Sequence, residues 1–207
     1  MSYREVETYY RQEHFDFFSG YAMPFYNVTF ELDITKAKDF AASRSYPVYL
    51  SLCHLFARGM QRVEDFRYRV LDGRIVLFER LDIAATLPTA GGAFSFASFD
   101  WDPDLKIFLQ RAEASSQRAR KVATLGEQTP ANAILFTALS GVRFTGFTHA
   151  TPTDRTDGRP RVAFGKFFDR SDRLMMPVGL GVNHIFIDGA AIGALVEEVQ
   201  REYDSPR

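Results

Sequence analysis

The sequence predicts a two-layer α/β sandwich, with helices packed on one mixed, largely antiparallel sheet. Alternating segments typical of strands are interspersed with amphipathic helical stripes in mixed order. An Asp72-Gly73 pair separates two alternating runs, which is a strong signal for an antiparallel hairpin. The 207 residues are 46% apolar and contain no evident linker, so we expect a single domain over residues 1–207.

The first half of the chain predicts helices and strands in alternation. Residues 4–18 place aromatic and aliphatic side chains on one helical face, and residues 24–35 alternate in the manner of a strand. Pro47 precedes a long apolar stripe, so residues 45–63 predict a buried helix with the proline in its first turn. Residues 66–80 form the predicted hairpin.

In the middle of the chain, residues 93–101 predict another strand. Residues 102–122 predict an amphipathic helix with Asp102 as its N-cap and Pro103 as its first residue.

Three β-like segments and a final helix follow. The segments are 133–150, 161–169 and 173–187, and the closing helix presents an apolar stripe from Ile192 to Tyr203. Between the first two segments, residues 151–160 are polar and rich in turn formers, so we expect a surface loop without chemistry.

Composition excludes several functional classes. With 25 basic and 26 acidic residues spread along the chain, no basic stripe is available for nucleic acid. The charged N-terminus and the lack of a long apolar run predict a soluble cytoplasmic protein that does not bind membranes. The single cysteine, Cys53, is expected to be an inert core residue, and His14, His54 and His149 lack metal-ligand spacing. We therefore expect no metal site.

The sequence "VNHIFIDGAAIG" places one histidine between a strand and a helix. In a strand, Val182 and His184 share a face, so His184 is expected to point toward the core. It is either a satisfied buried histidine or a general base that takes a proton from a hydroxyl or thiol. Asp188 is placed to cap the following helix, and small residues around it let a ligand approach.

Several stretches together resemble one known enzyme family. "HIFIDG" has the form His-x-x-x-Asp-Gly of coenzyme A-dependent acyltransferases, while "YRQEHFDFF" and "RVAFGKFFDRSDRLMMPVGLGVNHIFIDG" are similar to the opening and closing blocks of type A chloramphenicol acetyltransferases. The segments occur in the family's order and spacing along nearly the whole chain. The resemblance implies a chloramphenicol O-acetyltransferase that uses acetyl-CoA as a co-substrate, with no tightly bound cofactor.

The resemblance also implies roles for individual residues. His184 would be the general base, and Thr137 would donate a hydrogen bond to the tetrahedral oxyanion, although a plain strand threonine is an equal alternative. Asp188 would pair with Arg11 of the N-terminal helix and so support the histidine turn, together with Asn183.

The family is trimeric, with each site lying between two subunits, so the resemblance implies a homotrimer. Much of the acceptor pocket would come from the subunit that neighbours the histidine. The residues aligned with the family's acceptor and coenzyme positions are Phe17, Phe18, Tyr26 and Leu135 for the acceptor, and Gly141, Lys166 and Phe167 for the coenzyme. Each of these aromatic side chains is equally compatible with a place in the core.

Three departures from the family pattern lie near the site. Asn183 replaces the first of two consecutive histidines, and Ser140-Gly141 replaces a Pro-Trp pair beside the coenzyme. Leu135 and Phe18 replace polar residues of the acceptor pocket.

These differences leave open an acyltransferase that acts on another small hydroxyl acceptor. A dihydrolipoamide acyltransferase core is a further alternative, but this sequence shows no lipoyl domain or linker, and its N-terminal "RQEHFDFF" also argues against it. A trimeric binding protein without catalysis is another alternative, although His184, Asp188 and Arg11 are retained.

Overall fold

The structure is a computed structural model that describes residues 2–121, 125 and 129–207. Ten strands and five α-helices are present in the described residues, with a short 3₁₀ helix at Glu64–Arg67. In chain order they are β1 (Tyr3–Glu5), α1 (Gln12–Ser19), β2 (Phe25–Asp33), α2 (Thr35–Ser43), α3 (Val48–Gln61), β3 (Tyr68–Leu71), β4 (Arg74–Phe78), β5 (Asp82–Pro88), β6 (Phe94–Phe99), α4 (Leu105–Lys121), β7 (Ala133–Leu139), β8 (Arg161–Gly165), β9 (Phe168–Arg170), β10 (Arg173–Asn183) and α5 (Gly189–Asp204).

The larger sheet has seven strands and is mixed, as predicted. Its order is β2-β10-β8-β7-β5-β6, and β9 pairs with the beginning of β10. The pairs β5-β7 and β7-β8 are parallel, and the other pairs are antiparallel. The parallel pair β5-β7 requires a crossover, and α4 lies within that connection. The predicted α/β sandwich is therefore confirmed.

Helix α3 lies at the centre of the helical layer. All its residues from Leu50 to Met60 are buried, because it packs against α2, α4, α5 and β5. At Gly59 a Cβ atom would come within 2.9 Å of the backbone of Val199 in α5, so only glycine allows this approach. Cys53 is fully buried in the same helix, as predicted.

Three short strands form a second sheet in the order β1-β4-β3. The β3-β4 hairpin turns at Asp72 and Gly73, whose φ angles of 50° and 76° match the left-handed turn that this residue pair favours. The hairpin prediction is confirmed. The prediction of a helix over residues 4–18 is wrong in its first part, because Tyr3–Glu5 pair with β4 and the helix begins only at Gln12.

The predicted cap of α4 is also wrong. The helix begins at Leu105, and the carboxylate of Asp104 accepts hydrogen bonds from the amides of Lys106 and Ile107. Asp102 instead accepts from the amide of Asp104 and pairs with Arg111. The last residue of the predicted helix, Val122, lies outside the described residues.

Two segments differ from their predictions, the end of the β-like segment 133–150 and the surface loop 151–160. Strand β7 ends at Leu139, and the chain from 144 to 149 crosses the larger sheet, with Phe147 and His149 lying against Gly179 and Gly181. These glycines are needed because a Cβ atom at either position would lie within 3 Å of the crossing side chain. The predicted surface loop at 151–160 contains a buried aspartate, Asp157, and so is attached to the body of the protein.

Candidate active site

His184 lies immediately after the end of β10, in the turn that leads into α5. Its backbone amide donates to the carbonyl of Pro24, which precedes β2, at 2.8 Å. The β-like segment predicted over residues 173–187 extended four residues too far, because β10 ends at Asn183. The side chain of His184 is partly exposed at the end of the sheet instead of continuing the buried face of Val182. This position combines a rigid backbone with access from outside.

Two aromatic rings hold the imidazole of His184. The ring of Phe18 is stacked on it at 3.9 Å between centroids with an interplanar angle of 13°, and Tyr26 lies at 4.7 Å. The Nδ1 atom is buried and has no hydrogen-bond partner among the described residues. A proton from an external hydroxyl can therefore reach this ring only at Nε2.

Asp188 connects the histidine turn to the rest of the chain. Its Oδ1 accepts from the amide of Ala191 at 2.9 Å and so caps α5, as predicted, while Oδ2 accepts from Nη1 of Arg11 at 2.6 Å. The hydrogen bond from Ala191 is the main cause that lowers the pKa of Asp188, and the charge of Arg11 contributes. The carboxylate stays ionised at neutral pH.

Arg11 lies at the N-terminus of α1 and forms three further links to the site. Its Nη2 donates to Asp65 at 3.0 Å and to the carbonyl of Phe186, inside the histidine turn. Its guanidinium also lies 5.1 Å from the ring centre of Tyr10, whose hydroxyl donates to Asp65. One side chain therefore connects α1, the 3₁₀ helix and the turn that carries His184.

Asn183 is buried beside the histidine and is fully hydrogen-bonded. Its Nδ2 donates to the carbonyls of Arg155, at 2.8 Å, and Asp157, and its Oδ1 accepts from the amide of Ile185. Burial raises the pKa of Asp157, but the hydrogen bonds of Arg159 and the charges of Arg159 and Arg161 together lower it below its ordinary value, so Asp157 is ionised. The loop expected to be inert thus attaches to the histidine turn through Asn183.

The aromatic residues predicted for the acceptor pocket lie around the histidine. Phe17 is 61% exposed and contacts Phe18, and the hydroxyl of Tyr26 donates to the carbonyl of Ile187 at 3.2 Å. Burial raises the pKa of Tyr26 to about 12, so this hydroxyl stays protonated. Sequence reasoning missed the exposed Tyr21, which packs on Phe18 three residues away, a spacing that places them on one side of the chain.

Thr137 and Leu135 lie elsewhere, on β7. The hydroxyl of Thr137 is 3.1 Å from that of Thr86 on β5. Thr137 and Gly179 both lie opposite Ala163 of β8, so Thr137 is level with Gly179 but two strands away from it. Gly179, on β10, in turn precedes His184 by five residues. Strand spacing and rise then separate the two side chains by roughly 15–20 Å. Within one chain, Thr137 and His184 do not face the same reacting atom.

The residues predicted for the coenzyme lie beyond the carboxyl ends of β7 and β8. The amide of Lys166 donates to the carbonyl of Val142, which brings the 166–167 loop next to the turn at Gly141. Lys166 is exposed, whereas Phe167 is partly buried against the core. The chain thus groups these residues near the Thr137 end of the sheet.

Two further properties of the described residues bear on function. They contain no group of three or more His, Cys, Asp or Glu side chains arranged to hold a metal ion. None of the helices in this part of the chain has the length and apolar character that crossing a membrane requires.

Comparison with known proteins shows to which family the chain belongs. The family model described as chloramphenicol acetyltransferase matches residues 1–200. The chain belongs to the chloramphenicol acetyltransferase family. The resemblance seen in the sequence is therefore confirmed, and it covers the turn of His184 and the N-terminal segment that carries Arg11.

Individual members of the chloramphenicol acetyltransferase family match over almost their whole length. A chloramphenicol acetyltransferase from Klebsiella is 26% identical over 208 residues, which cover 97% of this chain and 92% of that protein. One from Bacillus pumilus is 27% identical over 194 residues, which cover 92% and 88%. The alignments therefore extend over most of each relative's length.

Solved structures show the same fold in two groups of acyltransferases. A chloramphenicol acetyltransferase superposes with a TM-score of 0.86 at 23% identity, covering 97% of this chain and 99% of that one. The dihydrolipoamide acetyltransferase of Azotobacter vinelandii gives 0.71 at 16% identity, covering 94% and 86%. At these identities, both comparisons bear on the fold alone.

Proposed function

We propose that this protein transfers an acetyl group from acetyl-CoA to a hydroxyl of chloramphenicol. The observation that carries the proposal is the His184 turn, with its imidazole between Phe18 and Tyr26 and its backbone held by the Arg11–Asp188 pair, in a chain of the chloramphenicol acetyltransferase family. A histidine held by neighbours yet open at Nε2 is suited to general base catalysis.

The proposed transfer begins with His184 acting as the base. Nε2 of His184 accepts the proton of the acceptor hydroxyl while its oxygen forms a bond to the thioester carbonyl carbon of acetyl-CoA. The carbonyl oxygen becomes an oxyanion, and the hydroxyl of Thr137 donates a hydrogen bond to it. When the intermediate collapses, the carbon–sulfur bond breaks and the thiolate takes the proton from His184. The products are the acetyl ester and free coenzyme A, and the histidine is neutral again.

We propose that the working unit is a homotrimer with its sites between subunits. The separation of Thr137 from His184 supports this arrangement, because a second copy has to bring its β7 face to the His184 turn of the first. Exposed aromatic residues on the same sheet, Phe94 and Phe96 of β6, also favour contact with another protein surface.

The first experiment measures thiol release from acetyl-CoA with and without chloramphenicol. We expect release that depends on chloramphenicol. If acetyl-CoA binds but no thiol is released, the acceptor assignment is wrong, and the apolar side chains Phe17, Phe18 and Leu135 then direct the search to other small hydroxyl compounds.

A second experiment tests the shared site directly. Two impaired variants, His184→Ala and Thr137→Val, are unfolded together and refolded as a mixture. Mixed trimers contain interfaces with an intact His184 from one chain and an intact Thr137 from the other, so activity should return. Each variant refolded alone is the control. If the mixture stays inactive while mixed trimers are demonstrated by mass spectrometry, the two residues do not share a site across an interface.

A further inference from the structure

The helical layer contains an open groove of about 970 Å³, a volume typical of sites for small molecules. It lies between α2, α3 and the beginning of α4, and its aromatic residues are Phe40, Tyr46 and Trp101. Arg58, which also lines it, pairs with Glu202, 14 residues beyond Asp188 on α5. That helix therefore separates the groove from the His184 turn by roughly 20 Å.

Several hydrogen-bond acceptors in the wall of the groove are already occupied. The side-chain carbonyl of Gln61 accepts from the amide of Leu81, and the carbonyl of Pro103 accepts from Nη2 of Arg58 at 2.9 Å. Oδ1 of Asp104 caps α4 by accepting from two backbone amides of its own helix, whereas Oδ2 accepts from no described residue. The acidic side-chain acceptor that the groove itself offers is therefore this one oxygen atom.

The cations of the groove differ in whether they are paired. Arg58 and Arg62 form ion pairs with Glu198 and Glu202 of α5. By contrast, Arg44 and Lys106 are exposed and form no ion pair with any described residue. The guanidinium of Arg44 instead lies 4.0 Å from the ring centre of Phe40. The groove thus combines aromatic surface with cations that form no ion pair with a described residue, namely Arg44, Lys106 and also the side chain of Arg207.

We propose that this groove binds a small aromatic anion. The planar ring packs on the side chains of Trp101, Tyr46 and Phe40, and the negative group is held by the free cations Arg44 and Lys106. This assignment uses the two properties that the groove offers, apolar aromatic area and uncompensated positive charge. It is independent of the proposed acetyl transfer, because no residue of the groove belongs to the candidate active site.

The test uses the only tryptophan of the chain as a local probe. Trp101 lies in the groove, so a nitroaromatic compound that binds there quenches its fluorescence by contact. The probe is 4-nitrobenzoate, and its neutral counterpart 4-nitrobenzamide is the control for the ring alone. The variant Arg44→Gln/Lys106→Gln removes the two cations that are assigned to the negative group, and Lys36→Gln removes an exposed cation of α2 outside the groove.

We expect saturable quenching by 4-nitrobenzoate, and roughly tenfold weaker binding of the amide, since the amide lacks the negative charge that strengthens hydrogen bonds to the cations. The double variant should weaken binding of the acid by a similar factor with an unchanged melting temperature, and Lys36→Gln should have no effect. Chloramphenicol should not compete. The proposal is overturned if quenching does not saturate at millimolar concentrations, if acid and amide bind equally, or if the double variant binds as the unmodified protein does.

Discussion

Two regions of the larger sheet differ in how many contacts hold their candidate catalytic residues. At the end of β10 and β2, Arg11, Asp188 and Asn183 bind the His184 turn through ion pairs and buried hydrogen bonds. On β7, by contrast, Thr137 makes only one side-chain hydrogen bond, to Thr86, on a face that leaves neighbouring aromatic side chains exposed.

In the proposed mechanism, this difference separates two groups of residues. The proposed base His184 and its supports are assembled within one chain, whereas Thr137, the proposed oxyanion donor, lies on a surface that a second chain would cover. Substitutions in the first region should therefore alter both stability and turnover, and substitutions at Thr137 should alter turnover alone.

The largest effect is expected for His184→Ala. Removal of a general base costs typically 10²- to 10⁴-fold in rate, so thiol release should fall by about a thousandfold or more with the fold intact. His14→Ala, which changes an exposed histidine of α1, is the matched control and should leave the rate unchanged. A His184→Ala variant that retains turnover would refute the base assignment. If the unmodified protein is already inactive but binds chloramphenicol, it is a binding protein.

Thr137→Val should lower kcat about a hundredfold, the effect of removing one oxyanion donor, without a change in melting temperature. Thr137→Ser keeps the hydroxyl and should recover most of the activity. Thr86→Val removes the hydroxyl that contacts Thr137 and serves as the control for local packing. Equal kcat in the Val and Ser variants would show that Thr137 is a plain strand residue.

Arg11→Ala should reduce stability and activity together. The change leaves Asp65 and Asp188 without their cation and releases the carbonyl of Phe186. Because Asp188 is partly exposed, we expect the free energy of unfolding to fall by about 2 kcal/mol, which lowers Tm by several degrees. Arg74→Ala, which breaks an exposed pair with Glu5, should change Tm very little. If Arg11→Ala changed neither Tm nor turnover, the pair would have no supporting role.

Asn183→Ala should lower the free energy of unfolding by about 1–2 kcal/mol, a smaller loss than that expected for Arg11→Ala. The change leaves two backbone carbonyls and one amide without a partner. Turnover should fall about tenfold, because the loop at 155–157 no longer holds the histidine turn. Asn183→His tests whether the family's usual residue can restore kcat. A variant with lowered Tm but normal kcat would make Asn183 a purely structural residue.

The smallest effect concerns pH. The folded-state pKa of Asp188 lies below its ordinary value, so its ionised form stabilises the fold above about pH 4, the unfolded value. That contribution is lost as the pH falls through the folded pKa. The Tm difference between the unmodified protein and Asp188→Asn should therefore be constant near neutrality and shrink below about pH 4. A difference that persists unchanged in acid would contradict the linkage.

Local sequence predicted much of the fold and part of the site. The hairpin at Asp72-Gly73, the buried helix α3 and the strand β10 were correctly predicted, because each follows from residue periodicity or from turn chemistry within a few neighbours. The role of Asp188 as helix cap followed in the same way. The cap of α4 was misplaced by two residues because Asp102 and Asp104 offer equivalent side chains on either side of Pro103.

The sequence by itself determined the family, the order of most elements and the motif that contains His184. Only the tertiary structure shows which residues distant in sequence are in contact. Strand β1 pairs with β4, Asn183 donates hydrogen bonds to the 155–157 loop, and Arg11 forms ion pairs with both Asp65 and Asp188. The tertiary structure also decided that Thr137 lies far from His184 in the same chain. Periodicity reports only which face a residue occupies, whereas sheet order and register depend on the packing of segments far apart in sequence.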